Sequence, residues 1–141
     1  MGRNQKVTSG ERLEEVLAED RKAHKLFNLV TKYLISLGGV ESATRKTQVS
    51  FKHRRAFAWI WLPQMWIKQQ PRGSITLTFG LDHQVRARRI KQSVEPYPGR
   101  YTHHVVITTA DEFDAQVKRW LREAHRLAGT PPKAQRRSRR S

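Results

Sequence analysis

Cysteine is absent from the chain, which excludes disulfide bonds, thiolate metal sites and cysteine nucleophiles. Acidic residues are scarce, since 12 Asp and Glu stand against 28 Lys and Arg in 141 residues. No apolar run exceeds residues 56–62, which is far shorter than the roughly 20 residues of a membrane-spanning helix. The N-terminus also lacks the apolar stretch of a signal peptide. These absences predict a cytoplasmic protein that does not contact membranes.

The positive charge, +16 in total, is concentrated in the middle of the chain and at its C-terminal end. Residues 45–103 hold twelve basic residues and only two acidic ones, Asp82 and Glu95, and residues 130–141 hold five basic residues and no acidic one. Residues 9–39 and 104–129, in contrast, each hold equal numbers of both signs. Such segregated positive charge favours a protein that binds a polyanion.

Helical spacing of apolar residues occurs towards both ends of the chain. Thr8 and Glu11 have the spacing of a capping box, and the apolar stripe that follows runs to Leu37, just before Gly38-Gly39. This pattern predicts one long helix, or two with a break near Asp20. A second capping box at residues 109–112 predicts the start of a C-terminal helix that ends at residue 129.

Four strands are predicted between these helices. Alternation of apolar and polar residues indicates strands at 47–52 and 75–79, an apolar run on both faces suits a central strand at 57–62, and a fourth strand is predicted at 101–108. Residues 81–100 contain Pro96 and Pro98 and are predicted to form a loop. The predicted fold class is α+β, with an N-terminal helix (or two), a four-stranded antiparallel sheet and a C-terminal helix, the helices on one sheet face. We expect a flexible N-terminus at 1–8, a single domain at 9–129 and a disordered basic tail at 130–141.

Several blocks of sequence, in order, resemble the bacterial family called domain of unknown function 5655. The blocks are TQVSFKHRRAFAWI, the strand at Leu77–Phe79, THHVVIT and DEFDAQVKRWLREAH, and together they cover about residues 20–128. Residues that match the family pattern are Phe51, Arg55, Phe57, Ala58, His103, Asp114, Trp120, Leu121 and Ala124. His125 stands where the family usually has Tyr. The resemblance implies a fold but no established activity, and similar modules are attached to predicted restriction-type nucleases or so-called transport proteins.

Eleven side chains are candidates for binding a nucleic acid or another anion. They are basic side chains, or rings close to them: Lys52, Arg54, Arg55, Trp66, Arg86, Arg88, Arg89, Lys91, His103, Arg136 and Arg137. Contacts of Lys and Arg with phosphates supply affinity without reading the base sequence. The sequence therefore predicts non-enzymatic binding of DNA or RNA with little sequence specificity.

The apolar stretch beside the first basic cluster has two interpretations. Strand alternation places Phe57, Trp59 and Trp61 on one face and Ala58, Ile60 and Leu62 on the other. If the three aromatic side chains face solvent, they form a stacking platform for bases next to Lys52, Arg54 and Arg55. If they face the helices, they belong to the core, which is the more frequent arrangement for large aromatic residues.

Catalytic patterns are lacking, so no cofactor and no metal are expected. Two-metal phosphodiester chemistry needs clustered carboxylates, whereas the strand region offers only Asp82 and Glu95. No zinc-helix, nucleophile-elbow or phosphate-loop motif occurs. An alternative to nucleic-acid binding is a protein-interaction or small-anion-binding module with a pocket near Arg55 and His103. His103 could also be a half-buried ring bonded across the sheet, and an enzyme using His103 with Arg55 stays open.

Overall fold

The structure is a computed structural model of the chain, and it describes residues 18, 20–45, 48–61, 73–97 and 99–130. Three predictions fall outside these residues: the flexible N-terminus at 1–8, the capping box of Thr8 and Glu11, and the tail beyond Thr130. The described chain is a mixed α/β structure with two long helices and one large antiparallel sheet.

Helix α1 spans Arg21–Ser36 and precedes the sheet, and helix α2 spans Ala115–Gly129 and follows it. The strands are β1 (Glu41–Thr44), β2 (Gln48–His53), β3 (Arg55–Trp61), β4 (Ile75–Leu81), β5 (Ile90–Tyr97) and β6 (Arg100–Ile107). A short 3-10 helix, Ala110–Glu112, connects β6 to α2.

Within the described residues the sheet has six strands in the order β1-β2-β3-β4-β6-β5, and each neighbouring pair is antiparallel. The prediction of four strands was therefore wrong. The two additional strands, β1 and β5, form the two edges of the sheet as the described residues build it, and no described strand pairs with their outer sides. Part of the predicted loop at 81–100 is β5, and a proline is tolerated in it because edge strands can omit ladder hydrogen bonds.

Helix α1 begins at a capping residue and ends before two glycines. Asp20 is the N-cap, and its Oδ1 accepts a hydrogen bond from the N–H of Ala23 at 3.1 Å. The other carboxylate oxygen accepts the N–H of Gly73 at 2.7 Å, so the cap also ties α1 to the start of β4. The helix ends before Gly38 and Gly39, whose φ angles of 95° and 65° suit glycine. The helix start beside Asp20 agrees with the predicted break there.

The second predicted capping box forms, but it caps the start of the 3-10 helix and not the start of α2. The Glu112 carboxylate reaches back to the N–H of Thr108 at 2.6 Å and of Thr109 at 3.3 Å. The α-helix itself starts at Ala115, where the N-cap Asp114 accepts the N–H of Val117 at 3.1 Å. The predicted helix start was therefore several residues too early, because two successive capping residues follow β6.

Both helices pack on the same face of the sheet, which we call the inner face. Helix α2 packs on β2, β3 and β4, and α1 packs on β4. Buried apolar residues of the sheet lie on this face and form one cluster with those of the helices: Val49, Phe51, Phe57, Ala58, Ile60, Ile75, Leu77, Phe79, Leu81, Val105 and Ile107. The helices also contact each other, since the Tyr33 hydroxyl donates to the carbonyl of Lys118 at 3.2 Å.

A bulge in β3 changes which face its aromatic residues occupy. Phe51 pairs with Ala58, but the next residue of β2, Lys52, pairs with Ala56, so Phe57 is the extra residue. Phe57 is 1% exposed and contacts the His125 ring edge-on at 5.4 Å, which places it on the inner face. The predicted shared face of Phe57, Trp59 and Trp61 was therefore wrong, because alternation assumes an unbroken ladder.

The opposite face of the sheet, the outer face, carries Trp59 and Trp61. Trp59 pairs with Thr78, and the Trp61 indole Nε1–H donates to Thr78 Oγ1 at 3.0 Å. That hydroxyl also lies 2.7 Å from Nδ1 of His104, and both Thr78 and His104 are buried. Burial lowers the pKa of His104 to about 4, and the neighbouring His103 adds a smaller decrease.

Candidate nucleic-acid interface

Three guanidinium groups meet at one end of the sheet, formed by the β2–β3 hairpin, the end of β4 and the start of β6. Pairing sets this arrangement, because His53 pairs with Arg55 in the hairpin and Leu81 pairs with Tyr101. Arg54, Arg55 and Arg100 therefore lie at the same end, which we call the basic end. Sequence reasoning identified Arg54 and Arg55 but missed Arg100, which lies 45 positions away and becomes their neighbour only through the sheet.

Arg55 is half-buried and joins the basic end to α2. Its Nη2 donates a hydrogen bond to the carbonyl of Leu127 at 3.0 Å, which satisfies a carbonyl in the last turn of the helix. The pKa of Arg55 is lowered from its usual value, first by burial and then by the positive charges of Arg100 and Arg54. Arg100 and Arg54 therefore lie close enough to Arg55 for their charges to act on it.

Arg54 and Arg100 are exposed, and Arg54 is held in an unusual backbone conformation. It occupies the hairpin turn with φ of 68°, a left-handed region that costs a residue other than glycine roughly 1 kcal/mol or more. Ion pairs among the described residues join His83 to Asp82 and Glu123, and Arg89 to Asp114. In this part of the chain, therefore, no carboxylate neutralises a guanidinium of the basic end.

Two acidic residues lie close to the basic end and limit its field. Glu41 pairs with Lys52 across β1 and β2, and both side chains are exposed. Glu95 Oε2 accepts the N–H of Gly99 at 3.0 Å, and the same carboxylate raises the pKa of Tyr101 through a hydrogen bond and its charge. The basic end is thus a local group of cations and not a uniformly positive surface.

Two stacked histidines connect the hairpin to the ends of both helices. The rings of His53 and His125 are 4.0 Å apart with an angle of 7° between their planes. His53 Nδ1 lies 3.2 Å from the Gly39 carbonyl, and His125 Nε2 lies 2.8 Å from the Gly38 carbonyl, so each ring donates to the loop after α1. This histidine pair fixes the position of the hairpin that carries Arg54 and Arg55.

The second predicted basic cluster lies elsewhere, on residues 82–89, an extended segment that we call the strap. Val85 and Ala87 pack against the core, whereas Arg86 and Arg88 are exposed. Arg89 is partly buried, because its Nη1 pairs with Asp114 at 2.9 Å and its Nη2 donates to the carbonyl of Glu112. Arg89 therefore anchors the strap to the start of α2.

The remaining candidates are dispersed. Lys91, in β5, and Lys52, in β2, are exposed, and Lys52 lies next to the hairpin of the basic end. Trp66, Arg136 and Arg137 lie outside the described residues. The structure thus brings Lys52, Arg54 and Arg55 together with Arg100, and it places Arg86, Arg88 and Lys91 in other elements.

His103 is buried on the inner face and is not part of a solvent-exposed group. Its Nε2 accepts the N–H of Val85 at 2.9 Å, and its ring stacks on Phe79 at 5.2 Å. Burial is the main cause of the lowered pKa of His103. Nδ1 is buried without a hydrogen-bond partner of good geometry among the described residues. These contacts place His103 where it holds the strap against β6.

One group of side chains in the described residues has the atom types of a metal site. Asp82, His83 and Glu123 bring their ligand atoms within 4.8 Å of one another. His83 Nδ1 lies 2.8 Å from Asp82 and 3.8 Å from Glu123, and all three side chains are at least partly exposed. Surface ion pairs of an imidazole with two carboxylates have the same geometry, so these distances alone do not indicate a metal site.

Comparison with known proteins adds one finding. A model of a domain of unknown function (DUF5655) matches residues 14–128, in agreement with the resemblance predicted over about residues 20–128. No curated protein and no solved structure matches the chain. Among the described residues no helix is both long and apolar enough to cross a membrane.

Proposed function

Because the chain belongs to the DUF5655 family, whose description names no activity, we propose from its geometry that it binds nucleic acid without catalysis and with little sequence specificity. The observation that carries this proposal is the meeting of Arg54, Arg55 and Arg100 at the basic end without a neutralising carboxylate among the described residues. Clustered cations that are not used in ion pairs are available to phosphates.

The C-terminal end of α2 supports the same surface. Arg55 donates to the carbonyl of Leu127, so the helix ends beside the basic end, and the chain continues from Thr130 into residues 131–141. Those residues contain five Lys and Arg and no acidic residue. The basic residues 131–141 therefore follow directly after a helix end that lies beside the basic end. We propose that both groups of cations bind the same polyanion.

An interaction module with a small-anion pocket near Arg55 and His103 has less support. Val85 already donates to Nε2 of His103, and the His103 side chain is 0% exposed. A ligand would have to replace that contact and enter the core to reach the ring. The exposed cations of the basic end need no such rearrangement to contact phosphate.

The test is binding of the full chain to a fluorescein-labelled duplex of about 20 base pairs and to one of its strands, followed by anisotropy between 50 and 200 mM salt. For Arg54→Gln/Arg100→Gln we expect weaker binding and a slope of log affinity against log salt that is smaller by about 2, since each phosphate contact contributes about 0.9 for a duplex. The matched control is Lys25→Gln/Lys32→Gln, which removes two exposed charges from α1.

Two results would reject the proposal. One is the absence of binding at 50 mM salt, or an affinity that does not change between 50 and 200 mM salt. The other is an equal loss for the basic-end variant and the α1 control, since total charge and not its placement would then explain binding. A chain ending at Thr130 separates the contributions, and retention of a reduced but salt-dependent affinity would show that the folded domain binds by itself.

A further inference from the structure

We infer that the preferred partner is a single strand of nucleic acid, one base of which stacks on Trp59 on the outer face. This inference rests on the proposed function and names its substrate class. Trp59 is partly exposed, and pairing with Ser50 and Thr78 places its indole on the face opposite the helices.

Among the described residues, the side chains between Trp59 and the β1 edge of the sheet are small. Its neighbour across β2 is Ser50, and the neighbour of Ser50 across β1 is Ala43, which is exposed. Ala43, Ser50 and Trp59 thus form a shelf that runs from the indole to the edge of the sheet. We infer that a base approaches the ring from this edge, where short side chains obstruct it less than long ones would.

A cation lies beside this shelf on the same face. Lys52 follows Ser50 by two residues in β2, so it is the diagonal neighbour of Trp59, at about 7–8 Å between Cα atoms. That separation is comparable to the distance between a base and the phosphate of its own nucleotide. Arg54, at the basic end, follows Lys52 by two residues. Phosphates next to the stacked nucleotide can therefore contact further cations.

Stacking selects single strands for a geometric reason. Bases inside a duplex are already stacked and paired, whereas unpaired bases expose a π-face on which an aromatic side chain can stack. Each base stacked on an aromatic side chain strengthens binding by between about fivefold and a hundredfold. The basic end alone, in contrast, attracts both forms through their phosphates.

The experiment compares a labelled 12-nucleotide strand with the duplex of the same sequence, using full-length protein at 100 mM salt. Trp59→Ala is expected to weaken binding of the single strand by at least fivefold and to change binding of the duplex by less than twofold. Trp59→Phe keeps a stacking ring and should retain most of the single-strand affinity. Circular dichroism and thermal melting establish that each variant is folded.

Ala43→Glu is a second variant that does not touch the core, since Ala43 is exposed on an edge strand. It puts a carboxylate on the shelf and should weaken single-strand binding several-fold, whereas Glu41→Gln, which removes the acid facing Lys52, should strengthen it. If the shelf variants weaken binding of strand and duplex equally, or weaken neither, the inference is wrong. The proposed function still holds in that case, provided that the duplex binds with an affinity that depends on salt. Absence of binding to both forms overturns both.

Discussion

Replacing Gly129 with alanine should destabilise the protein, although the same change within a helix normally stabilises it. A Cβ at this position would lie 2.5 Å from Nε2 and 2.6 Å from Cδ2 of His53, so the ring must move. The ring is held by its stack on His125 at 4.0 Å and by the Gly39 carbonyl at 3.2 Å, and moving it weakens both contacts.

The two opposing effects have different sizes. Glycine to alanine in a helix gains at most about 1 kcal/mol. Overpacking at a fixed site typically costs about 1–3 kcal/mol. Because the ring of His53 is held on both sides, we expect the cost to win and the free energy of unfolding to fall by about 1–2 kcal/mol, which lowers Tm by about 3–8 °C for a domain of this size.

Urea denaturation followed by far-UV circular dichroism measures this difference. The control is the same substitution in a His53→Ala background, where no ring obstructs the new methyl group and Gly129→Ala should raise stability by up to about 1 kcal/mol. A change of sign between the two backgrounds is the expected result. If Gly129→Ala is stabilising to the same extent in both, the histidine pair is not held as described and the reasoning is wrong.

Two further predictions concern stability. Because the pKa of His104 is about 4 when folded and near 6.5 when unfolded, its contribution is fully present above about pH 6.5 and is lost as pH falls towards 4, by at most about 3 kcal/mol. Denaturation at a series of pH values should show this decline, reduced in His104→Phe, and an unchanged profile in that variant would contradict it. Asp114→Ala removes the cap on Val117 and the ion pair with Arg89, and should cost about 1–2 kcal/mol of unfolding free energy. Asp114→Asn keeps a capping oxygen and should cost less, so equal losses in thermal melts would show that the ion pair dominates.

The helices and the central strands could be predicted because local chemistry determines them. Gly38 and Gly39 end α1 through backbone conformations that other residues adopt at a cost, and Asp20 supplies the cap that starts it. Apolar residues at every second position indicate a strand, and this alternation is visible in β2 and β4, although β4 is buried on both faces. The predicted resemblance to the family is confirmed by the match over residues 14–128. It could be predicted because it depends on blocks of sequence in a fixed order.

The edges of the sheet and the bulge could not be predicted in this way. Strand β1 reads Glu-Ser-Ala-Thr and is largely exposed, so it carries no apolar period, and it is extended because it pairs with β2. The extra residue Phe57 leaves no mark in the sequence, because an apolar run such as residues 56–62 fits either face. Fine detail in edge strands comes from partners and not from local preference.

Of the candidate site, the sequence identified the cations but not their grouping. Arg89 and Arg88 are adjacent in sequence, yet the first is paired with Asp114 and the second is exposed. That difference depends on Asp114, the N-cap of α2, which lies 25 residues after Arg89, and no local pattern reports a contact over such a separation. Arg100 joined the basic end for the corresponding reason, since the pairing of β4 with β6 brought it there.

The strand order determines the path of the strap. Strand β6 lies between β4 and β5 although it follows both of them in the chain, so the strap crosses the inner face over β6, where Val85 donates to His103. The β5–β6 hairpin is a local structure, whereas its attachment to β4 closes a longer loop and carries the larger entropic cost of closure. Hydrogen exchange should therefore find the β5–β6 hairpin, together with the strap, opening as a unit while β2, β3 and β4 remain protected.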